Sequence, residues 1–298
     1  MKEIVVISGK GGTGKTSVTA SFAVLGNTDL VVADCDVDAA DMHVFLDPDY
    51  RDQHDFYSGE LARIDPETCI RCGKCAEVCR FDAIDIIKES YHVKELDCEG
   101  CGYCARVCPV NAISNIENHV GYWYLSRIRT GAEMIHARMN VGAENSGKLV
   151  ARVKQEAVKL AEATNKNYVL VDGSPGIGCP VISSLSGASY AVLVTEPTLS
   201  GLHDLERVYS VVERFRIPAG CIINKADLNI RNRDKILEFL KEKNIGLLAE
   251  LPYDLRITDA MVRGKSMVEE PAIESGKLLE KSWKKIIEIL NEKGKEIK

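Results

Sequence analysis

The sequence predicts an α/β fold, a mostly parallel sheet with helices on both faces, interrupted by a small cysteine-rich α+β insertion. Three observations carry that prediction. Apolar runs at Ile4–Ile7, Leu30–Ala33, Asn167–Val171, Ala191–Val194 and Ala219–Ile223 read as buried strands, with helical patterns such as Gly201–Phe215 between them. The first run passes through a glycine-rich turn directly into a helix at Ser17–Leu25. Between the second and third runs the α/β pattern fails, from about Arg51, and eight of the eleven cysteines fall within residues 69–108.

The 298 residues suffice for one large core plus a small satellite domain. A formal net charge of −6 argues against general nucleic-acid binding. No apolar run approaches the ~18 residues of a membrane span, and no export signal precedes the first strand, so a cytoplasmic protein is expected. A disulfide framework would need that signal; metal ligation accounts better for the cysteines.

Gly9 to Thr16 fits G-x-x-x-x-G-K-[ST], the P-loop, in the strand–turn–helix setting the motif requires. Its glycines let backbone N–H groups converge on phosphate oxygens at a helix N-terminus. Gly11, Gly12, Thr13, Gly14, Lys15, Thr16 and Ser17 are therefore the expected phosphate contacts. Lys15 should reach the β- and γ-phosphates, and the Thr16 hydroxyl should ligate Mg²⁺. Leu30–Ala33 ends in Asp34-Cys35-Asp36-Val37-Asp38, and Asn167–Val171 ends in Asp172-Gly173-Ser174-Pro175-Gly176. An acid closing an apolar strand downstream of a P-loop is the Walker-B arrangement, which gives Asp172 to the Mg²⁺ shell.

Cys69-x2-Cys72-x2-Cys75-x3-Cys79 and Cys98-x2-Cys101-x2-Cys104-x3-Cys108-Pro109 each match the spacing of a [4Fe–4S] cluster in bacterial ferredoxins. The fourth cysteine of each run normally serves the other cluster. One cluster is thus expected on Cys69, Cys72, Cys75 and Cys108, and a second on Cys98, Cys101, Cys104 and Cys79. Zinc sites favour two separated C-x2-C knuckles and fit less well. Arg80 stands where proline usually follows the fourth cysteine, which leaves its effect on hydrogen bonding to sulfur open. The predicted domains are a P-loop domain at 1–59 and 119–298 and an inserted two-cluster ferredoxin domain at 60–118. Strands are expected at Val120–Ile128 and Glu133–Met139, then a helix to about Ala163. Lys277–Ile289 reads as an amphipathic helix packed on the sheet, so membrane docking is not expected.

With Lys10 the P-loop reads Lys-Gly-Gly-Thr-Gly-Lys-Thr. Here the chain resembles the deviant-Walker P-loop ATPases: MinD, ParA, the Mrp-type iron–sulfur carriers and the nitrogenase iron protein. The resemblance covers nearly the whole chain. It implies ATP and Mg²⁺ as ligands, and a homodimer or closely related heterodimer around the nucleotide. It also implies that Lys10 crosses to the partner's phosphates and that Asp36, in switch I, orients the attacking water. The loop after Asp172 resembles switch II of the Mrp-type members. Asn224 aligns with the family's adenine contact, and Leu251-Pro252-Tyr253-Asp254 resembles a second base-contacting segment, through Pro252. Cys179 matches the offset of one cluster-ligating cysteine in the nitrogenase iron protein. Asn145-Ser146-Gly147-Lys148 resembles a signature of members that carry a ferredoxin insert.

Three outputs are compatible with such a chain: ATP-gated electron delivery to a redox partner, an ATP-dependent carrier or scaffold for metalloclusters, and a MinD/ParA-like positioning switch. Eight permanent ligands fill two ordinary clusters, which favours electron delivery over transferable cargo. The C-terminal Cys-x-x-Cys of the Mrp-type carriers is absent, which weighs the same way.

Overall fold

The computed structural model describes residues 1–143 and 146–293. In chain order the elements begin β1 Lys2–Ile7, α1 Lys15–Gly26, β2 Leu30–Asp34, α2 Met42–Leu46 and β3 Asp52–Ile64. There follow α3 Lys74–Val78, β4 Ile84–Ile87, β5 Ser90–Val93, α4 Tyr103–Val107, β6 Ile113–Arg127 and β7 Glu133–Met139. Then come α5 Ser146–Ala163, β8 Tyr168–Asp172, α6 Cys179–Leu185, β9 Tyr190–Thr195 and α7 Leu199–Arg214. The last are β10 Ala219–Ile223, α8 Ile230–Glu242, β11 Gly246–Glu250, α9 Arg256–Val262 and α10 Glu274–Lys293.

Among the described residues, nine strands form one sheet in the order β11-β10-β9-β1-β8-β2-β7-β6-β3. β1 runs parallel between β8 and β9, and β2 runs parallel between β8 and β7. Helices cover both faces of such a parallel core, so its strands are apolar without alternation. Ile4–Ile7, Leu30–Ala33, Val169–Val171 and Ala191–Leu193 are accordingly buried throughout. Parallel pairing in register puts Val6 and Asp34 each beside Asp172. The P-loop, the acids after β2 and the end of β8 therefore share one edge, the carboxyl edge where open α/β sheets bind ligands.

The chain divides into two compact units. One comprises Met1–His54, Trp123–Arg138 and Ser146–Lys298; the other comprises Asp55–Tyr122 and Met139–Asn145. The sequence gives no periodicity after Arg51, yet β3 is a strand of 13 residues. Only Ser58, Leu61 and Ala62 of it are buried, so no apolar face marks it. β6 likewise begins at Ile113, ahead of the expected Val120; the residues after Ile113 are mostly exposed, so no apolar pattern marks its start. The limits expected at 60 and 118 fall inside these two strands. Within the cysteine unit, β4 and β5 form an antiparallel hairpin, and Ala62, Cys75 and Ile113 make a small core of their own.

In the larger unit, α10 packs its apolar side on α1 and β11. Leu279, Trp283, Ile286 and Leu290 are buried, and the Trp283 ring lies 5.3 Å from that of Phe22. An ion pair also fixes the connection between β6 and β7. Arg129 holds Glu269 through both carboxylate oxygens, at 2.6 and 2.5 Å, and donates from Nε to the Phe45 carbonyl. Burial would raise the Glu269 carboxyl, but Arg129 and the hydrogen bonds that the Ser266 amide and hydroxyl donate outweigh it and hold it down at about 2. A depressed carboxyl stabilises the fold above its unfolded value near 4.3 and loses that contribution as pH falls through its folded value. Glu269→Gln should therefore cost about 1–2 kcal/mol at neutral pH, in the range of hydrogen bonds to charged groups. Its deficit against the wild type in denaturant unfolding should shrink as pH falls from 4 towards 2.

Candidate active site and cluster ligands

The P-loop connects β1 to α1 through Gly12 and Gly14, whose φ values of +78° and +91° lie in the left-handed region. A Cβ on Gly14 would lie 2.4 Å from Asn224 Nδ2, and one on Gly9 only 2.2 Å from the Asp204 carbonyl oxygen. Nothing stands within 4 Å of the Cβ positions of Gly11 or Gly12, so the turn is open there. The Thr13 hydroxyl is buried without a hydrogen-bond partner. Ser17 is half-buried in the first turn of α1, and its carbonyl accepts from Ser21 Oγ.

Lys15 closes the turn. Its Nζ donates to Asp172 Oδ2 at 2.8 Å and lies 3.2 Å from Asp36 Oδ2. Thr16 Oγ1 donates to the same Asp172 oxygen at 2.9 Å, and Thr19 Oγ1 to the other at 2.6 Å. Asp34 accepts the Asp36 amide at 3.2 Å. Lys15, Asp34, Asp36 and Asp172 are each at most 7% exposed, so their charges act on one another with little screening. Burial opposes the Lys15 charge, but Asp172, Asp36 and Asp34 together hold its ammonium above the ordinary value. Burial and the Asp172 charge push Asp34 well up, and burial raises Asp36 although Lys15 pulls against it. One lysine thus faces three carboxylates. A hard dication with oxygen ligands suits that shortage of positive charge, and Thr16 and Asp172 supply such oxygens. The open glycine turn and the orphaned Thr13 hydroxyl suit a phosphate group.

The remaining predicted residues lie around this centre. Lys10 pairs with Glu196 of its own chain at 2.6 Å and donates to Ser200 Oγ at 3.2 Å. Lys225 holds the other Glu196 oxygen at 3.1 Å. Burial would raise the Glu196 carboxyl, but these two lysines bring it below its usual range. Asn224 donates from Nδ2 to the Thr13 carbonyl at 2.8 Å and accepts the Lys225 amide at 3.0 Å, leaving one donor and one acceptor of its amide for a base. Pro252 is half-buried beside Tyr253, whose amide donates to Asp227. Cys179 is exposed at the start of α6, and a Cβ on Gly147 would lie 3.1 Å from its own Cβ. Lys148 is exposed in the first turn of α5; Asn145 lies outside the described residues. Three further contributors are not among the predicted site residues: Thr19; Glu196, in the turn Thr195-Glu196-Pro197-Thr198; and Ser174, in the loop after Asp172, whose Oγ donates to the Cys35 carbonyl at 2.6 Å. The turns that hold Glu196 and Ser174 resemble family site segments, and Thr19 lies one helical turn after Lys15.

The cysteine unit brings together the two expected sets. Cys69, Cys72, Cys75 and Cys108 line one cavity, and Cys79, Cys98, Cys101 and Cys104 line another. Among the described residues, no group of three or more His, Cys, Asp or Glu could hold a single metal ion. Each set of four cysteines surrounds one cavity. Cys79 and Cys108 end their helices alike, at φ/ψ of −73°/113° and −71°/113°. The Ala83 amide donates to Cys79 Sγ at 3.4 Å and the Ala112 amide to Cys108 Sγ at 3.2 Å. Arg80 leaves this sulfur hydrogen bond in place, because the donor is the amide four residues after the cysteine.

Comparison with known proteins agrees with both halves of this description. Residues 62–115 match the family described as "4Fe-4S dicluster domain". Over 229 residues the chain is 38% identical to "Uncharacterized protein MJ0578" of Methanocaldococcus jannaschii, covering 76% of this chain and 79% of that protein. The cell division ATPase MinD of Pyrococcus furiosus superposes with a TM-score of 0.58 at 20% identity, over 97% of this chain and 99% of its own. The septum site-determining protein MinD of Pyrococcus horikoshii, complexed with Mg-ADP, gives 0.57 at 18% identity over 96% and 95% of the two chains. The larger unit thus has the MinD-type P-loop ATPase fold, and the chain carries a 4Fe-4S domain. Among the described residues, no helix is long and apolar enough to cross a membrane.

Proposed function

The chain belongs to the family of the Methanocaldococcus jannaschii protein MJ0578, and on that premise we propose that it hydrolyses ATP and uses the nucleotide cycle to deliver electrons from two [4Fe–4S] clusters to a partner protein. The observation that carries this reading is the presence, in one chain, of a lysine-poor, acid-rich P-loop centre and two cavities each lined by four cysteines. The relative complexed with Mg-ADP supports an adenine nucleotide.

Lys15 and the amides of Gly11 to Thr16 bind the phosphates, Asn224 and Pro252 meet the base, and Thr16 and Asp172 hold Mg²⁺. Bound Mg²⁺ supplies charge neutralisation at the transferring phosphoryl group. Lys15 must then leave Asp172 for the phosphates, which frees Asp36 to orient the attacking water. Two copies meet around the nucleotides, and Lys10 exchanges Glu196 for the partner's phosphate. Ser174 links the loop after β8 to the loop after β2, so departure of phosphate changes both. The second loop leads along the chain through α2 into β3 and the cysteine unit. All eight cysteines of the two runs are spent as ligands, which favours electron delivery over cluster transfer.

The test is the rate at which the reduced protein reduces an acceptor recovered from anaerobic extract. The rate should rise with ATP turnover, and Lys15→Ala should not respond. Equal rates with and without ATP, or transfer of labelled iron to the acceptor in place of electrons, would contradict the proposal.

A further inference from the structure

The two cysteine runs form an internal repeat, which permits a controlled comparison of their cavities. Backbone and sulfur geometry match: Gly73 and Gly102 precede α3 and α4 with φ of +80° and +68°, and each fourth cysteine accepts one amide. Exposure matches in part, since Cys72 and Cys101 are both exposed. Charge does not match. Lys74 lines the cavity of Cys69, Cys72, Cys75 and Cys108, where the other run has Tyr103. Glu99 lines the cavity of Cys98, Cys101, Cys104 and Cys79, where the first run has Ile70. Neither charge has an ion-pair partner among the described residues. Glu99 also faces a second cavity with Glu60 and Glu95, and no lysine or arginine lines it. Glu77 and Arg106 hold matching positions with opposite charges, and Arg71 and Arg80 stand where the second run has Gly100 and Pro109, but none of these charges lines either cluster cavity.

Cluster potentials are set by cluster type, net charge, hydrogen bonds to sulfur and solvent exposure. Reduction adds a negative charge, which a nearby ammonium favours and a nearby carboxylate opposes. With hydrogen bonding alike and charge reversed, we infer that the two clusters are not equipotential. The cluster on Cys69, Cys72, Cys75 and Cys108 accepts an electron first, and Lys74 and Glu99 set that order. Each cluster would take up one electron from a one-electron donor, without a proton or a bond change. Both side chains reach solvent, so the separation narrows as ionic strength rises. The inference rests on the two-cluster reading.

Anaerobic redox titration of the full reconstituted chain, followed by electron paramagnetic resonance, tests it. Two one-electron waves are expected. Lys74→Gln should lower the upper wave alone, and Glu99→Gln should raise the lower wave alone. Lys74→Arg should leave both in place, and unchanged iron content shows that each variant is intact. One shared wave from a wild-type chain holding about eight irons, or variants that move the other cluster's wave or neither, would overturn the inference. About four irons in the wild type would overturn the two-cluster reading itself.

Discussion

Lys15→Ala is expected to lower ATP hydrolysis by about 10²–10³-fold, the loss typical of removing one preorganised donor from a developing negative charge. The same substitution should destabilise the nucleotide-free chain by about 3 kcal/mol. Lys15 is the buried cation facing Asp34, Asp36 and Asp172, and its removal leaves three carboxylates to one another. Asp36→Asn separates the two effects. It removes an acid whose carboxyl is already raised by burial, so stability should hold or rise while turnover falls. Phosphate release assays and denaturant unfolding measure both quantities. A Lys15→Ala chain as stable as the wild type would contradict the electrostatic description of the site.

Cys108→Ala is expected to halve the iron, from about eight to about four per chain, and to remove the cluster of the other cysteine run. Cys108 lines the cavity of Cys69, Cys72 and Cys75 although it follows Cys104 in the chain. A second substitution reads the assignment directly. Adding Cys72→Ala to Cys108→Ala should cost no further iron, because both residues serve one cluster. Adding Cys101→Ala should remove the rest. The opposite pattern would mean that each run holds its own cluster.

Much of this was legible in the sequence, for reasons that differ between the parts. The central strands were legible because burial on both faces leaves uninterrupted apolar runs, as at Leu30–Ala33. The P-loop and the acids at the strand ends were legible because a phosphate site needs glycine, lysine and hydroxyl at fixed spacing. The cysteine runs were legible for the same reason, and the fourth cysteine of each run lines the cavity of the other run's first three, as the spacing suggested. β3 was not, because its mostly exposed side chains leave no pattern to read. The turn of Glu196 could be placed by resemblance, but not its ion pairs, and Thr19 looks like an ordinary helix residue; the lysines and the carboxylate they meet come from distant parts of the chain. The consequence of Arg80 was not legible because the amide that bonds the sulfur lies at Ala83, beyond the residue that differs.

The central claim is that nucleotide state and cluster state influence each other within one chain. The most direct measurement is the midpoint potential of each cluster in the anaerobic protein without nucleotide, with MgADP, and with a non-hydrolysable MgATP analogue. The account predicts that at least one potential shifts between these states and that Lys15→Ala abolishes the shift. Potentials identical in all three states, in a protein that binds the nucleotides and holds its full iron, would contradict it.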